Sequence, residues 1–138
     1  LGGGAESTGN TDAGKGAKIA TGYALYSNGG ISVGYQEFYQ NAAITEKGTT
    51  TRGADSEGEG YAIAYTAGDF TFSYSKSNET TNAVGATKAL EEEEFSAVQA
   101  AYNLGGMTIA ASMYEADNLD GVAAMKYEET ELSVSFAF

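Results

Sequence analysis

The stretch GYAIAYTAGDFTFSYSKS, residues 60–77, alternates large apolar residues with small or polar ones on both sides of a Gly-Asp pair. Successive side chains of a strand point to opposite faces of a sheet, so this period of two predicts strands over residues 60–67 and 70–77. Gly68 and Asp69 suit the positive backbone φ angles that short hairpins require. The stretch therefore predicts an antiparallel hairpin with one aromatic face and one face of small polar side chains.

The same alternation runs through the rest of the chain, and sustained helical periodicity is not found. It predicts seven strands, over residues 18–27, 31–40, 60–67, 70–77, 95–104 and 107–114 and from about Tyr127 to the end. The alternate face of the first strand carries Ile19, Thr21, Tyr23 and Leu25. We expect the aromatic faces to be continuous over all of these strands, which predicts an all-β architecture.

The connections between the strands are of two kinds, and the two kinds alternate along the chain. Tight turns are predicted at residues 28–30, 68–69 and 105–106, and long polar segments at residues 41–60, 78–94 and 115–126. One edge of the sheet therefore carries only tight turns, and the opposite edge carries every long loop. Residues 1–17 are assigned to a loop on the long-loop edge, before a barrel segment over residues 18–138.

Composition excludes several classes of site. The chain of 138 residues has no Cys, His, Trp or Pro and a net charge of −12. Without Cys or His there is no disulfide, no thiolate nucleophile, no imidazole base and no zinc site of the usual kind. The negative charge argues against nucleic acid as a partner, because phosphate binding requires clustered Lys and Arg. No pattern of residues resembles a catalytic site, so we do not expect an enzyme.

Two environments could cover the aromatic faces. In a β-sandwich they would pack inward between two sheets, so a secreted sandwich or adhesion module stays open. In an outer-membrane barrel they would face lipid, while the small polar faces would line a wet interior. Strands of about 9–11 residues, two aromatic bands, and tight turns opposite long loops are typical of such barrels. We favour a transmembrane antiparallel β-barrel, with a non-conducting anchor or receptor as a third possibility.

The barrel interpretation assigns a role to each face. The predicted lipid-facing residues are large and aromatic: Tyr61, Tyr65, Phe70, Phe72, Tyr74, Tyr102 and Phe136. The predicted pore-lining residues are small and neutral: Gln36, Thr71, Ser73, Gln99, Asn103, Thr108, Ser112, Ser133 and Ser135. This interior shows neither an aromatic nor a charged ladder, which suits a wide aqueous wall better than a binding cavity. Glu37 and Lys76 fit least well, because their parity aims them at lipid.

Three segments carry a resemblance to a known family: GYAIAYTAGDFTFSYSKS (60–77), VQAAYNLGGMTIAASMYEADN (98–118) and ETELSVSFAF (129–138). They resemble the C-terminal part of a general outer-membrane porin of Gram-negative bacteria, of the α-proteobacterial type. The resemblance implies a barrel of about 16 strands, a homotrimer among the lipid and lipopolysaccharide of the bacterial outer membrane, and a water-filled channel. Such channels carry small hydrophilic solutes and ions by passive diffusion. The family's constriction loop would lie in a preceding N-terminal half.

The last residues resemble the assembly signal of outer-membrane barrels, which combines a polar residue, a small residue and two aromatic residues. The matching positions are Glu131, Ser133, Phe136 and Phe138, and Ser133 stands where the family prefers Gly. The resemblance implies recognition by the barrel-assembly machinery. Because such barrels have an even number of strands, a count of seven predicts that further strands precede Leu1 and that the chain is part of a longer barrel.

Two acidic segments could bind cations. The run of glutamates at residues 91–94 is interpreted first as a solvated junction between a loop and a strand. A second interpretation is a Ca²⁺ or Mg²⁺ site at the outer rim, formed by Glu92 and Glu94 and bridging to lipopolysaccharide. The segment EADNLDG (115–121) lacks the EF-hand spacing and is predicted to be an Asx-rich loop turn.

Overall fold

The computed structural model describes residues 1–7, 18–41, 55–82 and 90–137, and in them it shows a single antiparallel sheet of eight strands. Each strand pairs with its neighbours in sequence. The strands are β1 (Gly2–Ser7), β2 (Lys18–Asn28), β3 (Ile31–Asn41), β4 (Asp55–Ala67), β5 (Phe70–Asn82), β6 (Glu93–Asn103), β7 (Met107–Asp117) and β8 (Lys126–Phe136). Among these residues the 3-10 turn Leu119–Gly121 is the only helical element, and no helix is long and apolar enough to cross a membrane. The predicted all-β, antiparallel fold is confirmed.

The predicted strands are present, but several are longer than the side-chain alternation indicates. β4 begins at Asp55 and β5 ends at Asn82, because main-chain pairing continues beyond the last apolar side chain. The alternation does not predict β1, since its sequence GGGAES offers no period to detect. The loop assigned to residues 1–17 is therefore wrong for β1, and residues 8–17 lie outside the described residues. The described residues contain eight strands where the sequence predicts seven, and the presence of further strands before Leu1 stays a prediction.

The register divides the strand side chains into two faces, since directly paired residues of antiparallel strands lie on the same face. The first, called the Tyr61 face, consists of the odd-numbered positions of β1, β3, β4 and β7 and the even-numbered positions of β2, β5, β6 and β8. The remaining strand positions form the Ser73 face. Tyr65 opposite Phe72 belongs to the first face, and Ser73 opposite Gln99 belongs to the second.

In β2 the register differs from the expected continuous aromatic face. Tyr23 pairs with Gln36 and Leu25 pairs with Gly34, so Ile19, Thr21, Tyr23 and Leu25 all lie on the Ser73 face. The Tyr61 face of β2 instead carries Ala20, Gly22, Ala24 and Tyr26. The sequence of β2 has large residues at both parities, so its pattern alone does not choose a face. The turn at Gly29 and Gly30 sets the register of β2 against β3, and this register decides which side chains of β2 lie on each face. A shift of the register by one residue would move every side chain of β2 to the other face.

The described residues form one layer and have almost no core. Ala116, with 6% of its surface exposed, is the one hydrophobic residue among them that is buried. Large apolar side chains are uncovered, and Leu132, for example, is 73% exposed. A β-sandwich would bury these side chains between two sheets. The described strands instead form a single sheet, so they do not make the sandwich that the sequence left open.

The connection between β7 and β8 folds back onto the residues that precede β6. The Glu91 main-chain N–H donates to the Gly121 carbonyl at 3.0 Å, and the Asn118 side chain donates to the Glu92 carbonyl at 3.0 Å. Asn118 also accepts a hydrogen bond from the Ala124 N–H, at 3.0 Å. The turn predicted for residues 115–121 is wrong for residues 115–117, which belong to β7, and the turn itself follows from Asn118 to Gly121. Its hydrogen bonds connect this long-loop connection to the residues before β6.

Replacing Gly121 by Ala should destabilise the protein more than replacing Gly68 by Ala. Both glycines have positive φ, 67° and 59°, so each change costs about 1 kcal/mol in backbone strain. A Cβ at Gly121 would also lie 2.6 Å from Leu90 Cβ, whereas a Cβ at Gly68 would meet nothing within 4 Å. We expect the lower midpoint of urea unfolding for Gly121→Ala. Equal midpoints for Gly121→Ala and Gly68→Ala would contradict the packing of Gly121 against Leu90.

Candidate functional site

The Tyr61 face carries an apolar band that ends where charged residues begin. On β7 the band runs from Met107 to Met113, and Glu115 and Asp117 follow it on the same face. At about 3.4 Å per residue this stretch of β7 is about 20 Å long. The band begins at the tight-turn edge of the sheet and stops before the long-loop edge. It gives the Tyr61 face a clear boundary between apolar and charged surface.

A charged row, defined by directly paired residues, crosses β3 to β8 at this boundary. Its members are Glu37, Glu59, Asn78, Glu94, Asp117 and Lys126. Two ion pairs lie at the row: Lys76 Nζ is 2.6 Å from Glu94 Oε2, and Lys126 Nζ is 2.6 Å from Asp117 Oδ1. The row accounts for the two residues that fit the sequence interpretation least well. Glu37 belongs to it, and Lys76 bonds to one of its members.

Tyr35 connects two carboxylates of the charged row. Its hydroxyl oxygen lies 2.6 Å from Glu37 Oε1 and 2.6 Å from Glu59 Oε2. Glu37 and Glu59 are directly paired across β3 and β4, where like charges repel. A tyrosine hydroxyl has one proton, so it donates to one carboxylate at a time. Tyr35 therefore relieves a repulsion that the strand register imposes.

All seven predicted lipid-facing residues lie on the Tyr61 face. Tyr61 and Tyr74 pack together with ring centroids 6.3 Å apart and planes tilted by 54°. Tyr35 and Tyr61 pair directly just before the charged row, whereas Phe70 and Tyr102 pair near the tight turns. The aromatic residues of this face thus lie toward both ends of the apolar band. Their contact with lipid stays a prediction.

All nine predicted pore-lining residues lie on the Ser73 face. Toward the tight turns this face is made of small side chains, as in the directly paired row Thr66, Thr71, Ala101, Ala110 and Ser133. The Ser73 hydroxyl donates to Gln99 Oε1 at 3.4 Å, and Gln99 Nε2 donates to the Tyr114 hydroxyl at 2.9 Å. The predicted grouping of these residues is therefore correct as geometry, and their role in a pore stays a prediction.

Toward the long loops the Ser73 face carries aromatic residues that the sequence analysis misses. They are Tyr23, Phe38, Phe95, Tyr114 and Tyr127. No two of these residues are directly paired, so they do not contradict the expectation that this interior has no aromatic ladder, which stays a prediction. The sequence positions could have revealed these aromatic residues, because residues an even number apart in a strand lie on the same face. Phe38 is two residues from Gln36, and Phe95 is four residues from Gln99. The Phe38 ring occupies the space that a side chain at Gly58 would need.

The basic residues are distributed unequally between the two faces. The three lysines of the described strands, Lys18, Lys76 and Lys126, all lie on the Tyr61 face. The Ser73 face of these strands carries acids without any Lys or Arg; the acids are Glu6, Glu79, Glu93, Glu129 and Glu131. Tyr127 donates to Glu129 at 2.6 Å. The Ser73 face is therefore negative as a surface.

The structure separates the roles of Glu92 and Glu94. Glu94 forms the ion pair with Lys76, and Glu92 accepts a hydrogen bond from the Thr80 hydroxyl at 3.4 Å. In the described ranges no group of three or more acidic residues is arranged to hold a metal ion. A Ca²⁺ site at Glu92 and Glu94 stays a prediction.

Known proteins give no further guide to the site. No family model, no curated protein and no solved structure matches this chain. Of the predicted assembly signal, Glu131 and Ser133 lie on the Ser73 face and Phe136 on the Tyr61 face, while Phe138 is outside the described residues. The resemblance to porins therefore stays a resemblance, and the function must be argued from the two faces.

Replacing Tyr35 by Phe should lower the midpoint of urea unfolding, because Glu37 and Glu59 would then oppose each other without the hydroxyl. Tyr61→Phe, at the directly paired position, is the control and should have a smaller effect. Adding Glu59→Gln to Tyr35→Phe should recover stability, since it removes the repulsion. If the double variant is no more stable than Tyr35→Phe, the repulsion is not what Tyr35 relieves.

Proposed function

We propose that this sheet is part of the wall of an outer-membrane β-barrel porin, through which small hydrophilic solutes and ions diffuse passively. The observation that carries the proposal is a single-layer sheet whose Tyr61 face holds an uncovered apolar band ended by the charged row. The opposite face has small and polar side chains near the tight turns and aromatic ones toward the long loops, and its strands carry acids without any Lys or Arg. A sheet with these two faces fits a boundary between lipid and water.

The apolar band supports a membrane location. Soluble monomers rarely expose contiguous apolar patches larger than a few hundred Å², whereas this band continues across β3 to β8. Its length of about 20 Å on β7 is close to the apolar band of about 25 Å around outer-membrane barrels. Tyrosine at its ends suits the headgroup region, because the ring contacts lipid and the hydroxyl contacts water.

The proposal requires the two edges of the sheet to be closed. In lipid every main-chain N–H and C=O must be paired within protein, so an open edge is not tolerated. Among the described strands, β1 and β8 are at the two ends of the order and do not pair with each other. The proposal requires that further strand pairing close these edges.

The small side chains of the Ser73 face support a wide barrel. An eight-stranded barrel has an interior just wide enough for side chains to fill. Near the tight turns this face offers mainly Ser, Thr and Ala, which are too small to fill such an interior. A barrel of about 16 strands, with an aqueous channel, fits them better. A homotrimer, contacts with lipopolysaccharide and delivery by the barrel-assembly machinery rest on the family resemblance alone.

Labelling of single cysteines tests the orientation of β8 in lipid. The chain has no Cys, so each variant carries one thiol. In liposomes, Ser133→Cys and Ser135→Cys should react with a charged, water-soluble maleimide, because the Ser73 face would meet the aqueous channel. Leu132→Cys and Val134→Cys, on the Tyr61 face, should be protected. Equal labelling of all four positions would contradict a lipid-facing Tyr61 face.

Conductance in a planar bilayer tests the channel and its charge. The wall acids should favour cations, since a surface of one sign concentrates ions of the opposite sign. The double variant Glu129→Gln with Glu131→Gln should shift the reversal potential in a KCl gradient toward zero. Glu115→Gln with Glu128→Gln removes the same charge from the Tyr61 face and should leave it nearly unchanged. Absence of defined channel steps would instead indicate a non-conducting anchor or receptor.

A further inference from the structure

A depression of about 290 Å³ lies on the Ser73 face across β5 to β8. Ala101 and Ala110, which are directly paired, form its floor. Its polar lining includes Ser73, Gln99 and Glu131, and Tyr114 lies beside them. The sequence analysis treats this region as a plain aqueous wall, and neither the apolar band nor the charged row includes it.

Hydrogen bonds connect three polar side chains of the depression, Ser73, Gln99 and Tyr114. Gln99 receives a hydrogen bond from Ser73 at 3.4 Å and donates one to Tyr114 at 2.9 Å. An amide has two N–H donors and two acceptor lone pairs, so Gln99 keeps one donor and one acceptor for a ligand. Glu131 takes part in neither of the ion pairs of the described residues, and its carboxylate offers further acceptor positions.

This combination of groups selects a class of ligand. A pyranose sugar has an apolar face of C–H groups and a rim of hydroxyls. The alanine floor and the Tyr114 ring match the apolar face, while Gln99 and Glu131 match the hydroxyls. Anions are disfavoured, because the Ser73 face of the described strands has acids and no Lys or Arg.

We propose that this depression binds a neutral monosaccharide, with Gln99 and Glu131 bonding its hydroxyls and Tyr114 packing against its ring. The inference deepens the proposed function and rests on it, since it names a solute class that would pause on the channel wall. The site is shallow and open, so binding is weak and exchange is fast, as transport requires.

The test uses the whole chain in detergent micelles and saturation-transfer NMR with D-glucose as the probe. We expect transfer to the sugar ring protons. Gln99→Leu should weaken binding about tenfold, because one or two hydrogen bonds are lost. Ala110→Leu should abolish binding by filling the floor, with every polar group left in place. The matched control is Thr130→Val, which lies next to Glu131 in sequence but on the Tyr61 face, and it should bind like the parent chain.

Two results would overturn the proposal: absence of transfer to D-glucose in the parent chain, or equal transfer in Ala110→Leu and Thr130→Val. The first of these results includes transfer to D-glucosamine without transfer to D-glucose, in which case the ligand is a cation held by Glu131. Circular dichroism of each variant checks that its sheet is intact. Glu131→Gln is a second variant, after Gln99→Leu, that changes a polar group proposed to bond the sugar. The NMR experiment measures binding independently of conductance. Sugar binding without channel steps in the planar bilayer would therefore reject the channel and leave this site. Channel steps without sugar binding would reject this site alone.

Discussion

The main-chain hydrogen bonds between neighbouring strands are the interaction on which the rest of this structure depends. In an ordinary domain a hydrophobic core contributes most of the stability and fixes the arrangement of the strands. Here one hydrophobic residue among those described is buried, so the ladders between successive strands, from β1 through β8, must hold the sheet together. They also set the register, and the register decides which environment each side chain meets.

Two different surfaces follow from that register. The Tyr61 face joins an apolar band to a charged row, two of whose acids form ion pairs with lysines. The Ser73 face joins a small-residue half near the tight turns to an aromatic half near the long loops, and it has acids without bases in the described strands. Glu128 and Glu129 are adjacent in sequence and belong to these different surfaces. A single strand thus contributes charged residues to both environments.

The sequence predicts the part of the fold that periodicity controls. In β5, Phe70, Phe72 and Tyr74 alternate with small polar residues, and both the strand and its faces are predicted correctly. In β2 the prediction of faces is wrong, because large residues occur at both parities and only pairing across the turn at Gly29 and Gly30 decides. β1 is missed because glycine carries no side-chain pattern. The contacts of Tyr35 with Glu37 and Glu59, and the network of Ser73, Gln99 and Tyr114, depend on cross-strand pairing that a linear pattern does not contain.

The strand order has a consequence for how the sheet forms. Each strand pairs only with the strands next to it in sequence. No addition therefore has to join segments that are far apart in the chain, and the entropy cost of loop closure grows only slowly with the length of the connection. A growing edge can therefore act as the template for the next hairpin, and no distant segment has to be found. Such a chain does not need to collapse before it acquires its pairing. It can be built progressively from one edge, with its apolar band entering a covering environment as each strand is added.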